Sequence, residues 1–475
     1  MSSSKGKYQS LALNTIIFAI GNIGSKIILF LLVPLYTKCM SPDEYGTADL
    51  VFTIGQILVP FLSAGIFSAV IRFGISKETR HQDVLRNSLL IISAGSLIML
   101  LITPLAGVYG AIANWKWYLC AFVITDLFSA VEMNYLKAKE QNKLYTVISL
   151  IRTLALALCN VLFLAVLKAG IPGYLLSTIL SALLTMVLVA VRGDIFRDIK
   201  ASKRNDALMK EMLVYAAPLI LNGISWWVIH SSDKTMIEKM VSATALGIYS
   251  VAGRIPSLIN VIVSIFSQAW DISSIKEVED GKDTKFFDNI YSVYSFMVFI
   301  ITIAAIAVIK PFMHIYVAEE FRTAWMYVPL LLVSAAYGAV GSYFGSFYGA
   351  LKKSRLSMWS TLLGAVINIG LNLMLIPVMG IWGAVIGTVV AYAAIAVFRT
   401  FSVLRYVRIN INIPRYFINL AIVAGQAVLV SVDFCGILAS AVAAVLFIAL
   451  NYRSAREFSA KGMSILKSRL RKKEK

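Results

Sequence analysis

Apolar stretches separated by short polar segments run along almost the whole chain. They are about as long as the roughly 17–25 residues that a helix needs to cross a bilayer. We distinguish fourteen, at residues 11–36, 46–70, 88–109, 117–136, 146–167, 172–191, 213–232, 245–270, 289–309, 327–350, 356–378, 381–398, 415–432 and 434–450. Because only helices and closed barrels satisfy every backbone polar group in lipid, the pattern predicts an all-α integral membrane protein with 14 transmembrane helices.

The overall composition supports this class of fold. Of the 475 residues 59% are hydrophobic, and the mean hydropathy is +0.78. A soluble domain cannot bury so much apolar surface, because single cores stop growing beyond roughly 250–300 residues. The first apolar stretch is longer than the core of a secretory signal, so we expect no cleavable signal peptide.

The basic residues are distributed unevenly among the predicted loops. Of the 44 lysines and arginines, 34 lie in the N-terminus, in every second loop or in the C-terminal tail, and seven lie in the other loops. Since cytoplasmic loops carry the excess of positive charge, both termini are predicted to be cytoplasmic. The net charge of +19 is spread over many short loops, which predicts no nucleic-acid partner. The basic tail is expected to contact anionic membrane lipids.

The spans contain an internal repeat. Residues 170–174 (Gly-Ile-Pro-Gly-Tyr) open span 6, and residues 380–384 (Gly-Ile-Trp-Gly-Ala) open span 12. Each motif follows a span that carries an asparagine, Asn160 or Asn372. An even number of spans separates the copies, so both enter the membrane from the same side. Two such parallel bundles enclose a central cavity, in which one half can rock against the other.

A further match joins Tyr45-Gly46 at the start of span 2 to Leu246-Gly247 at the start of span 8. The repeat and the linker composition together predict a division of the chain. The predicted parts are an N-terminal six-helix bundle (1–191), a cytoplasmic linker (192–212), a C-terminal six-helix bundle (213–405), an additional helix pair (406–450) and a basic cytoplasmic tail (451–475).

Few charged residues lie inside the predicted spans, where they are costly and are therefore candidates for function. Lys26 lies near the middle of span 1, with Asn22 one turn before it. Asp126 and Glu132 lie in span 4. Lys26 would either face a polar cavity and attract an anionic ligand or form a structural ion pair with one of these acids.

Two further cations complete the candidate substrate-binding set. Arg254 lies well inside span 8, where the same two interpretations apply, and Arg152 lies in span 5 within reach of the cytoplasmic interface. Asp233, Lys234 and Asp49 lie at span ends and are interpreted as interfacial residues. Three cations and two acids inside the bundle give the cavity a modest positive bias, which favours an anionic ligand such as a diphosphate.

The chain shows no pattern typical of an enzyme or a metal site. Its four cysteines and three histidines lack the spacing of metal ligands. Residues 21–26 (Gly-Asn-Ile-Gly-Ser-Lys) have two residues between the glycines, whereas a phosphate-binding loop has four. We therefore predict no metal, no cofactor and no catalytic residue.

Several motifs near predicted external loops resemble one family. They are residues 34–38 (Pro-Leu-Tyr-Thr-Lys), residues 40–46 (Met-Ser-Pro-Asp-Glu-Tyr-Gly), Asp233-Lys234 and residues 246–250 (Leu-Gly-Ile-Tyr-Ser). With the six-plus-six-plus-two layout, the chain resembles the polysaccharide and O-antigen flippases of the multidrug/oligosaccharidyl-lipid/polysaccharide exporter superfamily over essentially its whole length. The resemblance implies a MATE-like fold, in which two six-helix bundles flank a V-shaped central cavity and two helices follow.

The resemblance also implies a function. The expected substrate is an undecaprenyl-diphosphate-linked oligosaccharide, flipped from the inner to the outer leaflet of the bacterial cytoplasmic membrane for surface polysaccharide biosynthesis. Family members are coupled to a proton or sodium gradient and work alongside glycosyltransferases and a polysaccharide polymerase. Lys26 matches the cationic cavity residue that holds the diphosphate-sugar head, and Arg254 and Arg152 match it less closely. The peptidoglycan-precursor branch carries several arginines in its first helix, so one lysine here argues against lipid II.

Two other functions compete with this hypothesis. A MATE-type multidrug/cation antiporter would use membrane-embedded carboxylates, for which Asp126 and Glu132 are the candidates. An integral-membrane glycan polymerase or ligase would need sizeable external loops, and the longest one here spans only about residues 310–326.

Overall fold

The computed structural model describes residues 24–456 except 77, 109, 280–283, 352 and 453. Helices make up nearly all of this part of the chain, and no strand occurs within it. Contacts between helices divide the chain into two compact units, Met1–Ser250 and Val251–Lys475. The division into two six-helix bundles with a linker between them stays a prediction.

The first unit is built around one central helix. Its helices are α1 (Val33–Cys39), α2 (Pro42–Leu62), α3 (Ile66–Gly74), α4 (His81–Ile102), α5 (Gly110–Ala113), α6 (Lys116–Ala138), α7 (Asn142–Asn160), α8 (Gly170–Arg192), α9 (Ile195–Ala201), α10 (Asp206–Met240) and the start of α11 (Ala243–Arg254). Residues 24–31 are also helical. Helix α6 packs against α2, α3, α4, α7 and α8, which makes it the core of this unit.

The second unit is organised in a similar way. Its helices are α12 (Pro256–Glu279), α13 (Thr284–Tyr316), α14 (Val328–Ala350), α15 (Ser354–Met379), α16 (Ile381–Leu404), α17 (Ile413–Ser431) and α18 (Gly436–Leu450). Helix α14 packs against α12, α13, α16 and α17. In the core, the Trp270 ring stacks on Tyr343 with centroids 4.8 Å apart, and its indole N–H donates to the Tyr343 carbonyl at 3.1 Å.

The predicted membrane class is confirmed. Eleven helices among the described residues are long and apolar enough to cross a membrane. Predicted span 7 corresponds to α10, span 14 to the fifteen-residue α18, and span 1 begins outside the described residues. Large apolar side chains such as Leu101, Leu158 and Val378 remain exposed on helix surfaces. Such surfaces are unfavourable in water and suit a lipid environment.

Two predicted spans are broken in the structure. Span 2 was predicted as one helix over 46–70, but α2 ends at Leu62 and α3 begins at Ile66. Gly65 between them has φ +66°, and a Cβ there would lie 2.9 Å from Ile220 of α10, so the turn favours glycine at this position. Span 8 is interrupted at Ile255, because Pro256 has no N–H to continue the helical ladder.

The predicted cytoplasmic linker is held against the first unit. The Asp198 carboxylate of α9, which is buried, accepts hydrogen bonds from Tyr135 Oη and Lys139 Nζ of α6, both at 2.8 Å. Further bonds join the linker to α4: Lys203 N to Asp83 Oδ1 (2.7 Å), Asn87 Nδ2 to Asn205 O (2.8 Å) and Asn205 N to Asn87 Oδ1 (3.3 Å). Hydrogen bonds to a buried carboxylate are among the stronger ones in proteins, so this segment is fixed to α4 and α6.

Candidate functional site

The first helical segment places Lys26 at an exposed position. Its neighbour Ser25 accepts a hydrogen bond from Thr153 Oγ1 of α7 at 3.0 Å, so the two helices touch at this level. Lys26 forms no ion pair with any residue that the structure describes. Of the two sequence-based interpretations, the structure therefore does not show the pairing with Asp126 or Glu132. Asn22 lies outside the described residues.

Arg152 and Asp126 are brought together. Arg152 Nη2 donates to Asp126 Oδ1 at 2.8 Å, which joins α7 to α6. The Asp126 side chain is mostly buried and that of Arg152 is about one third exposed. Arg152 immediately precedes Thr153, so this pair lies near the level of Lys26. The charges of Arg152 and Asp126 cancel each other. The Lys26 group, which we define as Lys26, Arg152 and Asp126, therefore carries the single positive charge of Lys26.

Glu132 occupies a different face of α6. Six residues separate it from Asp126, which places the two side chains about 120° apart around the helix. Glu132 is 6% exposed, and its Oε2 has no hydrogen-bond partner among the described residues. A buried carboxyl oxygen without a hydrogen-bond partner is costly, which makes Glu132 a candidate for a functional role.

Arg254 belongs to the second unit, whereas the other described candidates belong to the first. It is the last residue of α11, half-buried, directly before the break at Ile255. Its carbonyl accepts a hydrogen bond from Ser257 Oγ at 2.5 Å. The residue thus marks a helix end that Pro256 imposes, inside what the sequence predicts as a continuous span.

A buried ion pair joins α2 to α10, and it shows that Asp49 and Lys234, which the sequence places at span ends, contact each other inside the protein. Lys234 Nζ lies 2.6 Å from Asp49 Oδ2, and Asp49 is fully buried. Ser250 Oγ of α11 donates to the same carboxylate oxygen at 2.8 Å, and Thr53 Oγ1 lies 3.5 Å from the lysine. Three helices are therefore linked through one carboxylate.

Asp233, the neighbour of Lys234, is also buried inside the protein. Its Oδ2 accepts a hydrogen bond from Tyr249 Oη of α11, and its Oδ1 accepts one from the Lys234 backbone N–H at 2.9 Å. Buried carboxylates persist where charged or hydroxyl donors satisfy them. The α2, α10 and α11 network thus contains two acids, one lysine and three hydroxyl groups.

The beginnings of α2 and α11 are in backbone contact beside this network. A Cβ on Gly46 would lie 2.1 Å from the carbonyl oxygen of Ala243, and a Cβ on Gly247 would lie 1.9 Å from that of Pro42. Only glycine permits this approach. The contact is reciprocal: Pro42 and Gly46 on one helix face Ala243 and Gly247 on the other, with a constant offset of 201 residues. Repeat-related residues thus pack directly on each other.

The same offset extends to the helix caps and to the network. Ser41 caps α2 by accepting the Glu44 N–H at 3.2 Å, and Ser242 accepts the Ala245 N–H at 3.0 Å. Asp49 and Ser250 are separated by the same 201 residues and bond to each other. This constant spacing is the signal in the sequence that could have paired Asp49 with the start of α11.

Arg399 is a buried cation that sequence reasoning missed. Predicted span 12 (381–398) ends just before Arg399, so the sequence predicts a loop residue, but the structure places Arg399 inside α16, where it is 4% exposed. Its guanidinium donates to Ser360 Oγ at 2.9 Å, Thr361 Oγ1 at 3.1 Å and the Gly341 carbonyl at 3.2 Å. A Cβ on Gly345 would lie 2.6 Å from Arg399 Nη1, so the glycines of α14 make room for this side chain.

The comparisons with known proteins identify the class of this chain. A family model described as polysaccharide biosynthesis protein matches residues 11–270, which is more than half of the chain. The chain belongs to this family. The resemblance seen in the sequence motifs is thereby confirmed.

Individual proteins are similar to the chain in sequence or in fold. The chain is 23% identical over 426 residues to an uncharacterised membrane protein of Methanocaldococcus jannaschii, covering 83% of this chain and 98% of that protein. The fold is similar to that of the lipid II flippase MurJ in an inward closed conformation, with a TM-score of 0.66, 13% identity and coverage of 93% and 99%. An inward-facing multidrug resistance MATE transporter of the MOP superfamily gives a TM-score of 0.68, 17% identity and coverage of 80% and 95%.

A third similar structure is a MOP superfamily transporter from Pyrococcus furiosus, with a TM-score of 0.58, 16% identity and coverage of 82% and 94%. The fold is thus that of membrane transporters and flippases, and these solved relatives are not enzymes. The chain is a multi-pass membrane protein of the polysaccharide biosynthesis family with this fold.

Proposed function

We propose that the protein is a flippase that moves a lipid-linked oligosaccharide, carried on undecaprenyl diphosphate, between the leaflets of a bacterial cytoplasmic membrane. The observation that carries the proposal is Lys26, an exposed cation within a predicted span that forms no ion pair with the described residues. Membership of the polysaccharide biosynthesis family supports the glycan part of the substrate.

The electrostatics around Lys26 suit a diphosphate. Because Arg152 is neutralised by Asp126, the ammonium of Lys26 is the charge available to a ligand on this part of α7 and the first helix. An ammonium and a phosphate oxygen form a charge-assisted hydrogen bond, which is stronger away from bulk water than in it. A lysine acts as a point charge and places little demand on the sugar that follows.

The contact between α2 and α11 supplies an element that can alternate between two arrangements. The repeat predicts that these helices belong to different six-helix halves, and their glycines allow the closest approach seen between them. We propose that this contact and the Asp49–Lys234 pair form and separate during each transport cycle, driven by a proton or sodium gradient. A close backbone contact of this kind is either formed or absent, with no stable intermediate, which suits a transition between two states.

Complementation of a strain that lacks its own flippase tests the proposed substrate. Lys26→Ala should abolish surface glycan display, and Lys26→Arg should retain part of it, because the positive charge is kept. Lys143→Ala is the matched control, since Lys143 is also exposed, lies at the start of α7 and has no role in this proposal. Normal display by Lys26→Ala, at normal abundance in the membrane, would contradict the proposal.

One observation favours a second function, a multidrug/cation antiporter. The buried Glu132, with an unpartnered carboxyl oxygen, is the kind of group that exchanges a proton for a cationic drug. Under this alternative Glu132→Gln would abolish drug resistance in an efflux-deficient strain, and Lys26→Ala would not. The flippase proposal expects the reverse order of sensitivity in the glycan assay.

The charge pattern supports a membrane orientation with both termini in the cytoplasm. In this orientation Cys39, at the end of α1, faces the external side. An impermeant thiol reagent should therefore label Cys39 in intact cells of a variant in which the other three cysteines are serine. Labelling only after the cells are permeabilised would reverse the proposed topology.

A further inference from the structure

A polar cavity of about 130 Å³ lies in the second unit, where α13 begins, α17 begins and α18 ends. All residues that line it are described, and they include one cation, Arg415, and one acid, Asp288. The others are almost all neutral amide or hydroxyl side chains. The cavity belongs to neither the Lys26 group nor the Asp49–Lys234 network.

The groups around the cavity are held in place by one another. Arg415 donates to Asn451 Oδ1 from Nε and Nη2 at 2.9 and 2.7 Å, and to Ser454 Oγ at 3.2 Å. Asn451 also bonds with Asn419 of α17 in both directions, at 2.8 and 3.2 Å. These hydrogen bonds fix the guanidinium at the cavity wall.

The Asp288 carboxylate on the other side of the cavity can accept further hydrogen bonds. Asp288 Oδ1 accepts the backbone N–H of Asn410 at 2.7 Å, while its Oδ2 accepts no hydrogen bond from the described residues. A carboxylate oxygen has room for further donors, and an ammonium group supplies them. A purely anionic ligand would be repelled by this carboxylate, whereas a ligand with both a phosphate and an ammonium matches both walls.

An apolar groove of about 340 Å³ follows the same helices away from the cavity. Ile422, Gly425, Leu438 and Leu446 are among its lining residues on α17 and α18. Ile422 lies one turn from Asn419 of the cavity, and the groove extends about 12 Å along α18 between Leu446 and Leu438. A polar cavity and an apolar groove on the same two helices match the polar head and the apolar chain of a membrane lipid.

The surrounding charges place this end of the helices at a membrane boundary. Lys285, Arg405, Arg408 and Arg456 lie in the segments that meet here. Basic segments at a helix end favour the level of the phospholipid phosphates. The cavity therefore lies where such head groups are concentrated.

We propose that the cavity binds the head group of a phospholipid that carries a phosphate and an ammonium group, as in phosphatidylethanolamine, with an acyl chain in the groove between α17 and α18. Arg415 binds the phosphate, and Asp288 binds the ammonium. The lipid thereby joins α13 to the terminal helix pair. The site is independent of the transported substrate.

Lipid retention by the purified, delipidated full-length protein tests this site. Equal amounts of phosphatidylethanolamine and phosphatidylglycerol are added, and bound lipid is counted by native mass spectrometry. Asp288→Asn keeps an acceptor for Asn410 but loses the charge, so the preference for phosphatidylethanolamine should fall about tenfold, as expected for the loss of one charge-assisted hydrogen bond. Arg355→Gln, which alters an exposed residue of α15 outside the cavity, should leave the preference unchanged.

A second variant tests the groove separately. A Cβ on Gly425 would meet no atom within 4 Å, so Gly425→Leu fills the groove without a clash and should lower retention of both lipids. Equal thermal stability of the variants confirms that they fold. An unchanged lipid ratio in Asp288→Asn overturns the head-group assignment. Full retention by Gly425→Leu, or equal competition by glycerophosphoethanolamine, which has no acyl chain, overturns the assignment of a whole lipid.

Discussion

Replacing Gly247 by alanine tests the backbone contact between α2 and α11 most directly. The new Cβ would lie 1.9 Å from the Pro42 carbonyl oxygen, which falls 1.5 Å short of the 3.4 Å at which ordinary contact begins. Neither atom can rotate away, because the Cβ is bonded directly to the backbone of one helix and the oxygen is part of the backbone of the other, so the helices must separate. Overpacking costs typically 1–3 kcal/mol, and a rigid contact belongs at the upper end of that range. About 3 kcal/mol lowers the equilibrium constant for forming the contact roughly a hundredfold.

Hydrogen–deuterium exchange of the purified protein measures this loss of contact. Amides of residues 42–50 and 243–250 should exchange faster in Gly247→Ala, and Gly46→Ala should have the same effect, because the contact is reciprocal. Gly349→Ala and Gly370→Ala are matched controls, since a Cβ at either position meets no atom within 4 Å. Glycan display should fall in the first pair of variants and remain normal in the controls. Exchange and display equal to wild type in Gly247→Ala would refute the role of this contact.

Three further predictions concern stability, measured by thermal unfolding of the purified protein. Gly345→Ala should cost about 1–2 kcal/mol through its clash with Arg399, and the cost should disappear in an Arg399→Met background. Arg152→Gln should cost about 1–3 kcal/mol by leaving Asp126 unpaired, and adding Asp126→Asn should recover part of this; additive losses would show that the pair is not coupled. Trp270→Phe should cost about 1–3 kcal/mol, because the smaller ring packs less tightly and the indole hydrogen bond to the Tyr343 carbonyl is lost; no change would show that neither contributes.

The class of fold could be predicted from the sequence because lipid imposes one constraint on every span. Continuous apolar length predicted four helices of the second unit within two residues at each end, for example Ile413–Ser431, where span 415–432 was expected. It missed the ends of Thr284–Tyr316 and Ile381–Leu404 by five to seven residues. Helix breaks were less predictable. Proline signals the end of α11, but the turn at Gly65 depends on the approach of α10, which no local pattern records.

The sequence likewise identified some site residues and missed others. Depth in an apolar stretch identified Lys26 and Arg152, because charge is rare there and each position stands out. Arg399 and Asp49 lie near the ends of apolar stretches, where hydropathy cannot separate a solvated loop from a buried helix turn. Their burial depends on the helices that pack against them. For Asp49 these helices lie about 200 residues further along the chain, and for Arg399 they include the preceding helix. Only the constant offset of the repeat carried part of this information.

The docked linker has a consequence for dividing the protein into fragments. Its described hydrogen bonds to α4 and α6, through Asp198, Lys203 and Asn205, all lie on the N-terminal side of α10. In an N-terminal fragment that ends just after Asn205, the C-terminal segment would therefore remain hydrogen-bonded to α4 and α6. A fragment cut at residue 192 would instead expose Tyr135, Asp83 and Asn87 without their partners. A split at the start of α10 thus keeps the linker with the helices it bonds to, but it separates Asp49 of α2 from Lys234 of α10, so reassembly of the two fragments has to restore that buried pair.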